Sequence, residues 1–108
     1  MKYIKKYEQL KKNNPQVGDY VICEDRGDSS ATDNLLNFIE NNIGQIVDYK
    51  EYYGVIPYEV QYIDRPESLK KYFHDDDKVR RYSLSEIKFW SKNKIDLEII
   101  LSAKKYNL

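Results

Sequence analysis

The sequence predicts a mainly β single domain with helices added at both ends. Three observations carry that reading. A β-branched run opens from a Gly-Asp turn at Val17-Gly18-Asp19-Tyr20-Val21-Ile22-Cys23-Glu24, Tyr58-Glu59-Val60-Gln61-Tyr62 alternates strictly, and apolar residues recur at helical spacing near each terminus. At 108 residues the chain has the length of one domain, which leaves no room for two domains around a cleft.

Taken in order, residues 2–13 place Tyr3, Ile4, Tyr7 and Leu10 on one helical face with lysines opposite, and Asn13-Asn14-Pro15 ends the run. The first strand is expected over 19–24. Small polar residues from Asp25 to Asp33 form a surface loop. Asp33 then caps a helical turn that buries Leu35, Leu36, Phe38 and Ile39, and Asn41-Asn42 closes it. Residues 43–49 form the second strand, in which Gly44 marks a bend or a close approach of backbone.

Tyr53-Gly54 reverses the chain into the third strand, 56–62, with Tyr58, Val60 and Tyr62 on one face. Asp64-Arg65-Pro66-Glu67 combines a capping Asp, a proline just inside the start and a Glu three places on. Residues 66–73 are therefore helical, with Leu69, Tyr72 and Phe73 inward. After the acidic loop His74-Asp75-Asp76-Asp77, Val79-Arg80-Arg81-Tyr82 is short enough for an edge strand. Ser83-Leu84-Ser85-Glu86 fits a capping box and predicts a helical turn presenting Ile87 and Trp90. Asn93 and Asp96 repeat that logic for a last helix through Ile95, Leu97, Ile99, Ile100, Leu101 and Ala103, with Lys104 and Lys105 at its negative end. This helix is more apolar than one face requires, which leaves it a candidate for contact between subunits of an oligomer.

The order of elements over 17–88 is similar to that of SH3-like small barrels, including the KOW and Tudor-like groups. Val17-Gly18-Asp19-Tyr20-Val21, Ile43-Gly44-Gln45-Ile46-Val47, Tyr58-Glu59-Val60-Gln61-Tyr62 and Arg81-Tyr82-Ser83-Leu84-Ser85-Glu86-Ile87 carry the resemblance. It implies a small, partly open barrel at 17–88, flanked by an N-terminal helix (1–16) and a C-terminal helix (89–108). It also implies a binding module that grips peptides, partner proteins or nucleic acid through its loops and a strand face. The opening Met1-Lys2-Tyr3-Ile4-Lys5-Lys6-Tyr7-Glu8 resembles the starts of many small proteins of large tailed phages.

Composition narrows the partners. Eighteen Lys plus Arg balance 18 Asp plus Glu, so no net positive field recruits nucleic acid or an anionic membrane. A protein partner is the first expectation. The single cysteine, Cys23, cannot form an internal disulfide and reads as a small buried apolar residue in a reducing compartment. Neither a signal-peptide apolar region nor a spanning stretch is expected, which places the protein in a cytoplasm, the host's if it is viral. Fourteen lysines against four arginines, with 11 Ile and 11 Tyr, indicate AT-rich coding of the kind found in low-GC bacteria, phages and large viruses.

No nucleophile–base pair, glycine-rich phosphate loop or cofactor motif is evident, so the expectation is a non-enzymatic module without cofactor or metal. A ligand surface would draw on Tyr52, Tyr53, Tyr58, Tyr62 and Tyr72, whose phenols offer rigid contact area with a polar tip. Arg80 and Arg81 join them, either as guanidinium forks or as edge-strand charges that deter sheet extension. Two alternatives stand beside this reading. One is a nucleic-acid binder using Lys70, Lys71, Lys78, Arg80, Arg81 and Lys88 with stacking tyrosines. The other is a metal-binding or enzymatic protein using His74 with Asp75, Asp76 and Asp77.

Overall fold

The computed structural model describes residues 14–24, 33–73 and 78–106. The expected helix at 2–13, the loop before Asp33 and the His74–Asp77 loop lie outside the described residues.

Five strands form one antiparallel sheet: β1 (Tyr20–Cys23), β2 (Gly44–Tyr49), β3 (Tyr58–Gln61), β4 (Val79–Tyr82) and β5 (Ile87–Ser91), in the spatial order β4-β3-β2-β1-β5. The sheet is open, with β4 and β5 as its two edges. Among the described residues two helices accompany it, α1 (Asp33–Asn41) and α2 (Lys94–Tyr106), together with 3-10 turns at Glu51–Tyr53, Glu67–Tyr72 and Leu84–Glu86. Among the described elements helical residues outnumber strand residues, so the domain is mixed α/β, which corrects the mainly β expectation. The single turn expected after Asp33 runs to nine residues because Leu35 and Ile39, four apart, bury one continuous face.

Strand alternation gives the sheet two different faces. Val21 and Cys23 of β1 join Ile46, Val60, Tyr82 and Ile87 in the larger core, closed by Leu35 and Ile39 of α1 and by Leu69 and Phe73. Ile22 points the other way, into a second cluster with Leu97 and Ile100 of α2, which Tyr20 and Phe89 border. Ile95 and Ile99 remain exposed on α2.

The Gly-Asp opening works as a lock. Gly18 takes φ +97°, and its N–H donates to Ile46 O at 2.8 Å, while Ile46 N–H donates to Asp19 O at 2.9 Å. The buried Asp19 carboxylate accepts Gln16 N–H at 2.9 Å and lies 3.5 Å from Lys92 Nζ. Gly44 marks a close approach, as expected, with Val60 and Tyr62 stacked where its side chain would be.

The clearest departure is at 87–91, expected as a helical turn and found as β5. The capping pair forms: Glu86 Oε1 accepts Ser83 N–H at 2.9 Å and Ser83 Oγ–H at 3.0 Å. The helix nonetheless stops after one 3-10 turn, because β1 offers an open edge. Ile87, Phe89, Trp90 and Ser91 fill it opposite Cys23, Ile22, Val21 and Tyr20. The C-terminal helix therefore starts at Lys94 rather than 89. Its start is held by Ser91 Oγ, which accepts Asn93 N–H at 3.1 Å and donates to Asp96 Oδ2 at 2.7 Å. The 66–73 helix is a 3-10 turn without a side-chain cap, so Asp64 does not serve there, although Leu69 and Phe73 do point inward.

Candidate functional site

The connection between β2 and β3 is short, closed and apolar at its tip. Lys50 N–H donates to Pro57 O at 2.9 Å and pins the base, and Gly54 N–H donates to Glu51 O at 3.0 Å. Gly54 has φ +69°, a conformation that a side chain at this position would resist, and it turns the chain back toward β3. The turn exposes Tyr52 and Val55, at 77% and 83% of their full surface, with Tyr49 and Ile56 also exposed. Tyr49 is steadied by an edge-to-face contact with Tyr58, ring centroids 4.9 Å apart. Beside this tip the outer face of the sheet is charged. Lys50 Nζ lies 3.4 Å from Asp48 and 3.8 Å from Glu59, and Arg81 Nε lies 3.9 Å from the same Glu59 oxygen.

The seven residues expected at a binding surface fall into separate places. Tyr52 is at the exposed tip and Tyr53 belongs to the same 3-10 turn. Tyr58 and Tyr62 are buried core residues, and so is β4's Tyr82. Desolvation raises the Tyr58 pKa above 10, helped by Tyr49. Tyr62, wholly buried beside Cys23 and Tyr82, is pushed well above 10, again mainly by desolvation. Tyr72 is half-buried against the core, with Lys71 Nζ 5.2 Å above its ring.

Arg80 and Arg81 alternate along β4 and so take opposite faces. Arg80 joins Tyr72, donating from Nη1 to its carbonyl at 2.7 Å, whereas Arg81 faces Glu59. The structure thus unites Tyr72 with Arg80 and separates both from the hairpin tip.

The basic residues of the nucleic-acid alternative are gathered only in part: Lys70 and Lys71 line one depression and Lys71 and Arg80 both meet Tyr72. Lys88 pairs with Glu24 at 2.6 Å, Lys78 Nζ donates to Ile63 O at 2.9 Å, and Arg80 and Arg81 are engaged as above. His74 and Asp75–Asp77, the metal alternative, lie outside the described residues. Cys23 is buried, as its strand position implied.

Sequence reasoning missed Tyr49, Val55 and Ile56 as surface residues. Val55 and Ile56 are β-formers, and Ile56 was expected inside the third strand; the structure begins β3 only at Tyr58, after Pro57 has supplied the carbonyl that closes the loop. The usable signal was Gly54 between two aromatic and two aliphatic residues. Elsewhere, a cavity of about 280 Å³ lies between the sheet and α2, floored by Ile22, Phe89, Ile100 and Leu101 with Glu24 and Lys88 at its rim. Comparison with protein-family models, curated proteins and solved structures found no match for this chain.

Proposed function

We propose that the chain is a non-enzymatic protein-binding module of SH3-like organisation that engages its partner through the β2–β3 hairpin tip. The organisation is supported by the strand order β4-β3-β2-β1-β5, in which the last strand returns to pair with the first, and by the 3-10 turn between β4 and β5. One observation carries the function: Tyr52 and Val55 stand out in water on a turn whose base is fixed by the Lys50–Pro57 hydrogen bond. Clustered apolar exposure of this kind marks interaction sites, and tyrosine is enriched at interface cores. A closed turn also has less conformational freedom left to lose on binding.

Lys70, Lys71 and Arg80 gather near Tyr72, but Lys78, Arg81 and Lys88 are held by separate carbonyl and carboxylate partners, which disfavours a nucleic-acid face that needs cations gathered along one track. Capture of partners on the immobilised protein from lysate of the source cell, with and without nuclease, tests the reading. A discrete protein retained after nuclease agrees with it. Recovery that vanishes with nuclease contradicts it.

A further inference from the structure

The cavity of about 280 Å³ beside α2 lies where the last turns of both helices meet the β1–β5 pairing. A bulge shapes that pairing. Phe89 stands opposite Ile22 and Ile87 opposite Cys23, which leaves Lys88 as an extra residue between them. Ile22 and Phe89 therefore share the face that Leu97, Ile100 and Leu101 of α2 cover. Toward the end of α2 the cover is incomplete, and Ile22, Phe89, Ile100 and Leu101 make an apolar floor that remains open.

Four charged side chains line the same cavity: Glu24, Lys88, Glu40 of α1 and Lys104 of α2. Lys88 Nζ lies 2.6 Å from Glu24 Oε2, so these two largely neutralise each other. Glu40 and Lys104 have no ion-pair partner among the described residues. Glu40 is half-buried at the negative end of α1, whose last turn holds no basic residue, so the helix field adds to its charge. Lys104 is exposed in the last turn of α2. The mouth is thus balanced in charge and keeps one carboxylate and one ammonium available beside an apolar floor. A simple anion would meet Glu24 and Glu40 there, and a simple cation would meet Lys88 and Lys104.

We propose that this cavity binds a free α-amino acid with a large apolar side chain, its ammonium on Glu40, its carboxylate on Lys104 and its side chain over Ile22, Phe89, Ile100 and Leu101. Such a ligand carries both charges on one carbon, which is what a mouth of both signs selects, and each charge gains a charge-assisted hydrogen bond. The size agrees. An apolar cavity of about 150 Å³ holds one benzene, so this one has room for a ring or branched chain together with the head group. An apolar floor with a few polar groups that fix orientation is the usual construction of a small-molecule site. The cavity belongs to α2 and the β1–β5 edge and the hairpin tip to the β2–β3 connection, so one can fail without the other.

The methyl resonances of Ile22 and Ile100 in the full-length protein, ¹³C-labelled at isoleucine, report on the floor directly. Three probes are titrated separately at neutral pH: L-phenylalanine, L-alanine, which has both charges but little apolar body, and N-acetyl-L-phenylalaninamide, which has the body and neither charge. The expected result is a saturable shift of both methyls with L-phenylalanine and binding weaker by roughly tenfold or more for each of the other two. Glu40→Gln and Lys104→Met are each expected to weaken L-phenylalanine by roughly tenfold, the loss of one hydrogen bond to a charged group. The two substitutions lie on different helices, so a folding failure in one leaves the other to decide. The proposal is overturned if L-phenylalanine leaves both methyls unmoved at millimolar concentration. It is overturned if N-acetyl-L-phenylalaninamide binds as tightly, which would make the cavity a seat for an aromatic side chain of a partner protein. Equal binding of L-alanine, or undiminished binding of L-phenylalanine by either folded variant, overturns it as well.

Discussion

Gly44 lies directly beneath Tyr62: a Cβ at residue 44 would stand 2.9 Å from Tyr62 Cε1, and Val60 Cγ1 is closer still. Both neighbours are fully buried, so neither has space to retreat. Gly44→Ala is expected to cost about 1–3 kcal/mol through overpacking, seen as a lower urea midpoint at unchanged slope. The positions are coupled, so Val60→Ala is expected to cost less in the Gly44→Ala background than alone. Additive costs would show that the contact does not determine the glycine.

Asp19 and Lys92 form an ion pair whose two members matter unequally. The Asp19 carboxylate is buried and holds Gln16 N–H, whereas the Lys92 side chain is 78% exposed. Asp19→Ala is expected to destabilise by about 1–2 kcal/mol, because a buried acceptor and its turn are lost. Lys92→Ala should stay within about 0.5 kcal/mol of the parent protein, since exposed pairs contribute little. Equal losses in a denaturant titration would contradict this assignment.

Tyr62 gives the fold a defined sensitivity to alkali. Its folded pKa is raised, so the folded state keeps its proton where the unfolded chain releases one, and stability is full below pH 10 and falls as pH rises beyond it. Melting temperature is expected to decline above pH 10, and Tyr62→Phe is expected to flatten that decline while leaving the neutral-pH fold intact. An identical decline in the variant would move the effect to other tyrosines.

The strands were legible where the pattern was local. Tyr58 and Val60 alternate into the core as read, Val79–Tyr82 is an edge strand, and the Gly18-Asp19 turn opens β1. β5 was not legible, because Ser83 and Glu86 do form the local capping pair and only the open edge of β1, some 60 residues away in sequence, overrides it. The binding surface was half legible. Tyr52 followed from its turn, but burial separates Tyr58 and Tyr62 from it, and burial is a property of the packed sheet rather than of residue type. Arg65 read only as part of a helix start, since nothing in Asp64-Arg65-Pro66-Glu67 announces that its side chain packs on Phe73.

The hairpin tip is tested most directly by a paired capture experiment with the parent protein and Tyr52→Ser/Val55→Ser. Both side chains are exposed, so the two proteins should melt together within the range of surface substitutions, about 0.5 kcal/mol. Nuclease-treated lysate is passed over each, and the retained proteins are quantified by mass spectrometry. A discrete protein partner is expected to be held by the parent and depleted roughly tenfold or more on the variant, as loss of a central interface anchor requires. A partner held equally by both would contradict it and move the binding surface away from the β2–β3 turn.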